Sequence, residues 1–316
     1  MTRPTQLLGG KNAQAVQEVA RDLLRRAPGD RLLTTTEYAR LAGVGQGTVQ
    51  KALRTLESLD AIRVAPRGHL GTYLRDRDFT ALWHASGHGT VTGVLPLPDW
   101  SEIEGIATAL HRALTEAGIP VNLIHAAASR RRLAELLQGR ASFAVMSRFV
   151  AKRAIRRHRT LTALLEGRGG SYYRDDSLVV ISAPAIRDLD DIRRVAVDRS
   201  SPNHVEITRR GFASRTVELV DAPYRRLPYA LLSGAADAAV WHRTTARLTI
   251  EAATLRVLPF EPAYAGAAWW RDVSTAVVVG RKDEPHVGAV FDHVVDATAV
   301  ERTQTAVVAG EIAPIY

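Results

Sequence analysis

The sequence predicts a small α+β helix-turn-helix domain with a wing, followed by a larger α/β domain. Three observations point there. Residues 13–76 read helix, helix, glycine turn, helix, hairpin. From Thr90 onward, short apolar runs alternate with helical patterns. The charge is also uneven: residues 1–80 hold thirteen basic against eight acidic side chains, a surplus of five, whereas the other 236 residues carry a surplus of only four. A basic small domain joined to a nearly balanced one is the distribution expected where the small domain meets a polyanion.

The 316 residues suggest about two domains at ~150 residues each, and 46% hydrophobic with 24% charged is an ordinary globular composition. There are no cysteines, which excludes disulfides, thiolate metal sites and cysteine nucleophiles together and fits a reducing compartment. The N-terminal ten residues lack the apolar core of a secretory signal, and no apolar run reaches the ~20 residues of a spanning helix. A cytoplasmic protein without membrane contact is expected.

The first helix is expected over Ala13–Arg26, where Val16, Val19, Ala20, Leu23 and Leu24 recur at helical spacing until Pro28-Gly29-Asp30 stops them. A second follows the natural N-caps Thr34–Thr36, with Tyr38, Leu41 and Ala42 as its apolar face. Gly43-Val44-Gly45 breaks it. A third helix carries Val49, Ala52, Leu53, Leu56 and Leu59 on one face. Residues 61–65 and 71–75 are short strands around Pro66-Arg67-Gly68-His69-Leu70, a hairpin tip. The domain is bounded at 1–78, and 79–89, "FTALWHASGHG", is a weakly periodic linker.

In residues 90–316 the strands are "TVTGVLPL", "PVNLIHAA", "ASFAVMS", "DSLVVISA", "IRRVAVD", "ADAAVWH", "ATLRVLPF" and "STAVVVG". Helical patterns lie at 102–117, 130–137, 203–213, 224–233 and 285–300. Buried apolar strands alternating with helices predict mostly parallel sheets, in one large domain or two lobes.

"TTTEYARLAGVGQGTVQKALRTLESLDAIRVAPRGHLGTYLR" resembles the winged-helix domain of GntR-type bacterial transcription regulators, in its turn and recognition helix at Gly43–Leu53, Leu56-Glu57 near the helix end, and Gly71-Thr72-Tyr73 after the wing tip. The whole chain, including "GHLGTYL" and "VTGVLPLP", is similar to the YhfZ-type branch of that family. The resemblance implies a two-lobed effector domain of type 2 periplasmic-binding fold. One departure matters. Where the wider family has Ser-Arg and hydroxyl residues, then an arginine after the valine, this chain has Gly45-Gln46-Gly47-Thr48 and Gln50. Arginine reads guanine and grips phosphate; glutamine can pair with adenine but carries no charge. The relatives' base preference therefore does not transfer.

With Val49, Ala52, Leu53 and Leu56 facing the core, Gln46, Thr48, Gln50 and Lys51 remain on the exposed face, as a major-groove helix requires. Gly47 lets backbone approach a phosphate closely. Arg67 and His69 at the tip, Arg40 and Thr36 on the preceding helix complete the expected contacts to an operator in double-stranded DNA.

A cleft between lobes holds its ligand at strand ends and helix N-termini. The expected contacts are Pro98 and Asp99 after the first strand, Ser147 after "ASFAVM", Arg199, Ser200 and Ser201 after "RRVAV", and Trp241 and His242 after "GAADAAV"; Tyr172 and Tyr173, before a lobe-crossing strand, either line the cleft or pack it. Free N–H groups, hydroxyls and an arginine suit a small effector bearing a carboxylate or phosphate. Ser200 and Ser201 are equally readable as helix caps, and Trp241 as core.

"RFVAKRAIRRHR", residues 148–159, reads first as a solvated helix face and second as a further anionic-partner surface. His84 and His88 lack a third ligand, so no metal or other cofactor is expected. The function expected is a one-component regulator, a homodimer whose effector alters the disposition of two winged helices. A ligand-binding adaptor with weakened DNA contacts is the first alternative. An enzyme on the same scaffold is the second; against it stand the missing cysteine, only Lys152 and Lys282 as lysines after residue 80, and no Gly-x-Ser-x-Gly or P-loop.

Overall fold

The computed structural model describes residues 10–243, 254–260 and 266–316. The chain forms two compact units. Among the described residues, the first contains those of 1–91 with 114–121 and 285–294, and the second the others.

In the first unit, α1 (Lys11–Leu23) buries Ala15, Val16, Val19, Ala20 and Leu23 against the following helices. Helix α2 (Thr35–Ala42) starts in a capping box: Thr34 Oγ1 accepts the Glu37 N–H at 3.2 Å, and Glu37 accepts the Thr34 N–H at 2.7 Å. It ends at Gly43, whose φ of 61° is the left-handed conformation that glycine adopts without Cβ strain. Helix α3 (Gln46–Ser58) buries Val49, Ala52 and Leu56. Leu41 and Leu59, expected on the apolar faces, are exposed. The strands β1 (Ile62–Pro66) and β2 (Thr72–Arg77) form an antiparallel hairpin, which residues 29–32 extend through the Leu32 N–H to the Thr72 carbonyl and the Leu74 N–H to the Asp30 carbonyl. Residues 79–85, expected as linker, instead form α4 (Phe79–Ala85). Asp78 caps it by accepting the Ala81 N–H, and Leu82 and Trp83 are buried, so the apolar pair and the cap outweigh the weak periodicity.

The second unit contains two five-stranded sheets. One has the order β4 (Val121–His125), β3 (Val91–Leu95), β5 (Phe143–Ser147), β12 (Ala276–Arg281), β6 (Leu161–Glu166). The other has the order β11 (Arg256–Pro259), β7 (Leu178–Ser182), β10 (Ala238–His242), β8 (Arg194–Val197), β9 (Glu218–Asp221). Each is the sheet of one lobe. Residues 167–177 carry the chain from the first lobe to the second, and β12 brings it back. The two crossings make the sheets mixed rather than mostly parallel: β12, the returning strand, runs antiparallel to both β5 and β6, and β7, the entering strand, antiparallel to β10 and β11. Strands β5, β7 and β10 are buried at every position. In the second lobe, Val179, Ile181, Ala239 and Trp241 pack on α9 (Leu227–Leu232), while Val180, Val195 and Val240 pack on α8 (Pro202–Gly211) from the other face. Burial on both faces is why these strands read as unbroken apolar runs. Around the first sheet lie α5 (Ser101–Glu116), α6 (Ser129–Leu137), α7 (Arg148–Arg157) and α12 (Ala297–Ala309); α10 (Ala267–Ser274) and α11 (Pro285–His293) flank β12 in sequence.

Candidate DNA-reading surface and effector cavity

The first candidate site is built on α2, the Gly43–Gly45 turn and α3. Tyr38, fully buried, donates from its hydroxyl to Asp22 at 2.5 Å, and Arg26 pairs with the same carboxylate, so α2 is tied to α1. Burial, the first cause, raises the Tyr38 phenol well above its ordinary range and keeps it a neutral donor. On this base, Thr36, Arg40, Gln46, Gly47, Gln50 and Lys51 are exposed and Thr48 is half-buried. Gln46 Nε2 donates to Thr36 Oγ1 at 3.2 Å, bridging the two helices across the turn. Arg54 was not expected: one turn beyond Gln50, exposed, with its Nε donating to the Gln50 carbonyl, it adds a cation to the same face. At the hairpin tip Arg67 and His69 are exposed. The Arg67 guanidinium lies 4.6 Å from the Tyr73 ring centroid, which holds its stem without consuming its charge.

The second candidate site is a cavity of about 250 Å³ where the two lobes of the second unit meet. Of the residues the sequence singled out, Asp99, Tyr172, Tyr173, Ser200 and Ser201 line it; Trp100, Arg132, Asp198, His204, Tyr224 and Arg225 line it as well, a role not expected of them from the sequence. Five expected contacts lie outside the lining, each for a local reason. Pro98 sits between lining residues without joining them. Ser147 is buried as the N-cap of α7, accepting the Val150 N–H, and donates to Asn203 Oδ1 at 2.9 Å. Arg199 turns away to donate to the Leu219 carbonyl. Trp241 stacks behind Tyr224, centroids 4.6 Å apart. His242 is fully buried behind Trp100, 5.2 Å between centroids, with Nε2 3.5 Å from Glu102 Oε1.

The cavity wall is aromatic on one side. Trp100, 8% exposed, contacts Tyr172, Tyr173 and Tyr224 at centroid distances of 6.3, 5.9 and 6.4 Å. Its buried Nε1–H has no hydrogen-bond partner among the described residues. Burial raises both the Tyr172 and Tyr173 phenols, so they remain neutral. On the other side Asp198 accepts from the Ser200 N–H and hydroxyl at 2.9 and 2.5 Å and from the Tyr224 N–H at 3.3 Å. His204 Nδ1 accepts the Asp198 N–H at 3.0 Å and Nε2 lies 3.1 Å from the Val240 carbonyl, which fits a neutral ring protonated on Nε2; burial lowers its pKa accordingly. Ser201 caps α8, so the cap and cavity readings of that residue hold together. Asp99 and Arg225 form a bidentate pair, 3.2 and 2.6 Å, from opposite lobes.

Arg132 is the exceptional residue. It is 3% exposed, and among the described residues its guanidinium donates to neutral acceptors: the carbonyls of Val145 (3.0 Å) and Ala126 (2.8 Å) and the Tyr172 hydroxyl (3.3 Å). Among the described residues no carboxylate pairs with it. A buried cation without a counter-charge is costly, and an anion in the adjoining cavity relieves that cost. The sequence signal was present in "SRRRLAELL", where one of three arginines falls on the inner face of α6, but only packing reveals which. Among the described residues no group of three or more metal-ligating side chains is found, and no helix is long and apolar enough to cross a membrane.

Comparison with known proteins finds two matched regions. Residues 27–74 match a helix-turn-helix domain, and residues 78–316 match the YhfZ C-terminal domain. The chain is 30% identical over 307 residues to the YhfZ protein of Escherichia coli strain K12, covering 97% of this chain and 98% of that one. The crystal structure of YhfZ from Shigella flexneri is similar at a TM-score of 0.58 and 26% identity, over 75% of this chain and 97% of that one. The periplasmic VFT2 domain of Bordetella pertussis BvgS aligns at a TM-score of 0.46 and 16% identity, over 72% of this chain and 96% of that one; the two-lobed description rests on the strand orders instead. A helix-turn-helix domain followed by the C-terminal domain of that family places this chain in the YhfZ family.

Proposed function

We propose that the protein is a one-component transcription regulator that binds duplex DNA through a GntR-type winged helix and senses a small anion in the interlobe cavity of a type 2 periplasmic-binding-like domain. The observation that carries the effector half is the buried guanidinium of Arg132, which meets no carboxylate among the described residues, beside an aromatic cavity. Arginine recognises carboxylate and phosphate through paired N–H groups. The ring of Trp100, Tyr172, Tyr173 and Tyr224 suits a flat or apolar body attached to that anion. The DNA half is supported by the helix-turn-helix match and by the exposed polar face of α3. Regulation then requires a ligand whose affinity differs between DNA-competent and incompetent states of a homodimer in the cytoplasm.

Two measurements test the halves separately. A thermal-shift screen of small aromatic and aliphatic carboxylates and phosphates is expected to raise the unfolding temperature with at least one compound, because a bound ligand stabilises by RT ln(1 + [L]/Kd). Arg132→Lys, which keeps the charge and loses the fork, is expected to weaken that ligand about tenfold or more. If no anion stabilises the protein, the effector reading fails. In a mobility-shift assay on DNA upstream of the gene, Lys51→Ala with Arg67→Ala is expected to reduce affinity uniformly across sequences and to lower the salt slope by about two. Unchanged DNA binding removes those two residues from the interface.

A further inference from the structure

We infer that a second anion site, separate from the interlobe cavity, lies in a groove between α6 and α7 and takes a small polyphosphate: an inorganic chain or a ligand bearing two or more linked phosphate groups. The groove has a volume of about 410 Å³ and is lined by Arg130, Arg153, Arg156, Arg157 and His158, with Ser129 in its wall. Two independent observations carry the assignment.

The first is charge compensation. On the other flank of α7, Arg148 lies 3.2 Å from Glu166 and 3.4 Å from Asp272, and Lys152 lies 2.8 Å from Asp272. On the groove flank none of the four arginines meets a carboxylate among the described residues. Arg153 makes a cation–π contact, 5.5 Å from the Phe149 centroid. The acidic side chains of this region are thus spent on one face of the helix, and the facing cations of α6 and α7 converge without them. Two of them, Arg156 and Arg157, sit in the last turn of α7 and suit its dipole; Arg130 and Arg153 have no such role.

The second is Ser129. Its side chain is 3% exposed, it is the first residue of α6, and its Oγ has no hydrogen-bond partner among the described residues. A buried hydroxyl without a partner costs free energy that a ligand oxygen removes. It stands at the start of α6, where the Arg131 N–H is already taken by the Ala128 carbonyl and the earlier N–H groups have no i−4 carbonyl within the helix. One phosphate engages one or two arginines through paired N–H groups, so four guanidiniums around one concavity call for more than one phosphate. The ribbon of phosphates on duplex DNA presents a convex surface and does not reach a buried hydroxyl in the groove wall, which favours a small ligand.

The test is isothermal titration of the full chain with tripolyphosphate and pyrophosphate, with sulfate at matched ionic strength as the control. Saturable binding at one site is expected, tighter for tripolyphosphate, with none for sulfate. Arg153→Ala with Arg157→Ala is expected to weaken it about tenfold or more, and Ser129→Ala severalfold; both arginines are exposed, so an unchanged unfolding temperature separates this from misfolding. Arg187→Ala, an exposed arginine outside the groove, is expected to change nothing. Three outcomes overturn the assignment: no saturable binding, equal response to sulfate and tripolyphosphate, or loss of DNA affinity in the double variant with polyphosphate binding intact. The cavity beside Arg132 is untouched by these variants, so a failure here leaves the effector reading standing.

Discussion

Glu102 is 1% exposed at the start of α5, and its carboxylate faces His242 from the other lobe. Burial alone raises a carboxyl's pKa, yet here the His242 hydrogen bond and charge, with the Arg174 N–H, prevail and hold it below the usual range. Removing the carboxylate deletes this buried interlobe contact and leaves a gap where it packed. Glu102→Ala is expected to cost about 3 kcal/mol of stability in chemical unfolding; a loss below ~1 kcal/mol contradicts the paired geometry. Trp100 stacks on His242 and also lines the cavity, so the ligand wall and this interlobe contact share one side chain. At this scale the sequence was legible where local order decides. The strand-end rule found Asp99, Ser200 and Ser201. It failed at Trp241 and His242, because a strand-end side chain lines a cavity or backs it according to what stacks in front, and Tyr224 and Trp100 occupy those places. Arg132 was missed because nothing in a run of three arginines marks the one that turns inward.

Helix α2 carries its start and stop in its own residues: Thr34 and Glu37 satisfy each other's N–H groups, and Gly43 supplies the left-handed stop. Such signals survive without tertiary help, which is why α2, the turn and α3 were readable. Thr34→Ala is expected to destabilise the helix-turn-helix unit by about 1 kcal/mol, seen as faster amide exchange in α2; unchanged exchange refutes the cap's role. The elements that escaped notice have opposite properties. Strand β6 has a mixed exposure pattern, and β9, of four residues, lies at the sheet edge with none of them buried. Neither has the continuous apolar run that identified the interior strands. Helix α4 is seven residues long, too short for periodicity to rise above its small and glycine-rich surroundings, and becomes definite only when Leu82 and Trp83 are buried.

For the whole molecule, acid is the informative perturbation. His88 stacks on His286 at 3.9 Å, beside Trp83, within reach of the Arg21 charge, while Arg21 and Arg25 act on His286. Burial first, then His286 and Arg21, lower His88 from 6.5 to about 4. The unfolded chain therefore takes up a proton at His88 near pH 6.5 that the folded chain refuses until about pH 4, so stability falls as pH drops through that window. Glu102, lowered from 4.5, adds a loss below its unfolded value, since the folded state holds it ionised. His286 and His204, also lowered from 6.5, act in the same direction, so His88→Phe is expected to reduce, not abolish, the loss between pH 6.5 and 4; an unaltered profile rules out His88 as a source. The sequence by itself determined the order of the two domains, the helix-turn-helix with its polar α3 face, and the apolar strands of the second domain, because caps, glycine turns and periodicity act over a few neighbouring residues. Only the tertiary structure decided the antiparallel return of β12, the place of Trp100 and Tyr224 in the cavity wall, and the isolation of Arg132 from any carboxylate among the described residues. Those features bring together residues from distant parts of the chain, and a side chain's burial and partners there depend on what the opposite element places against it.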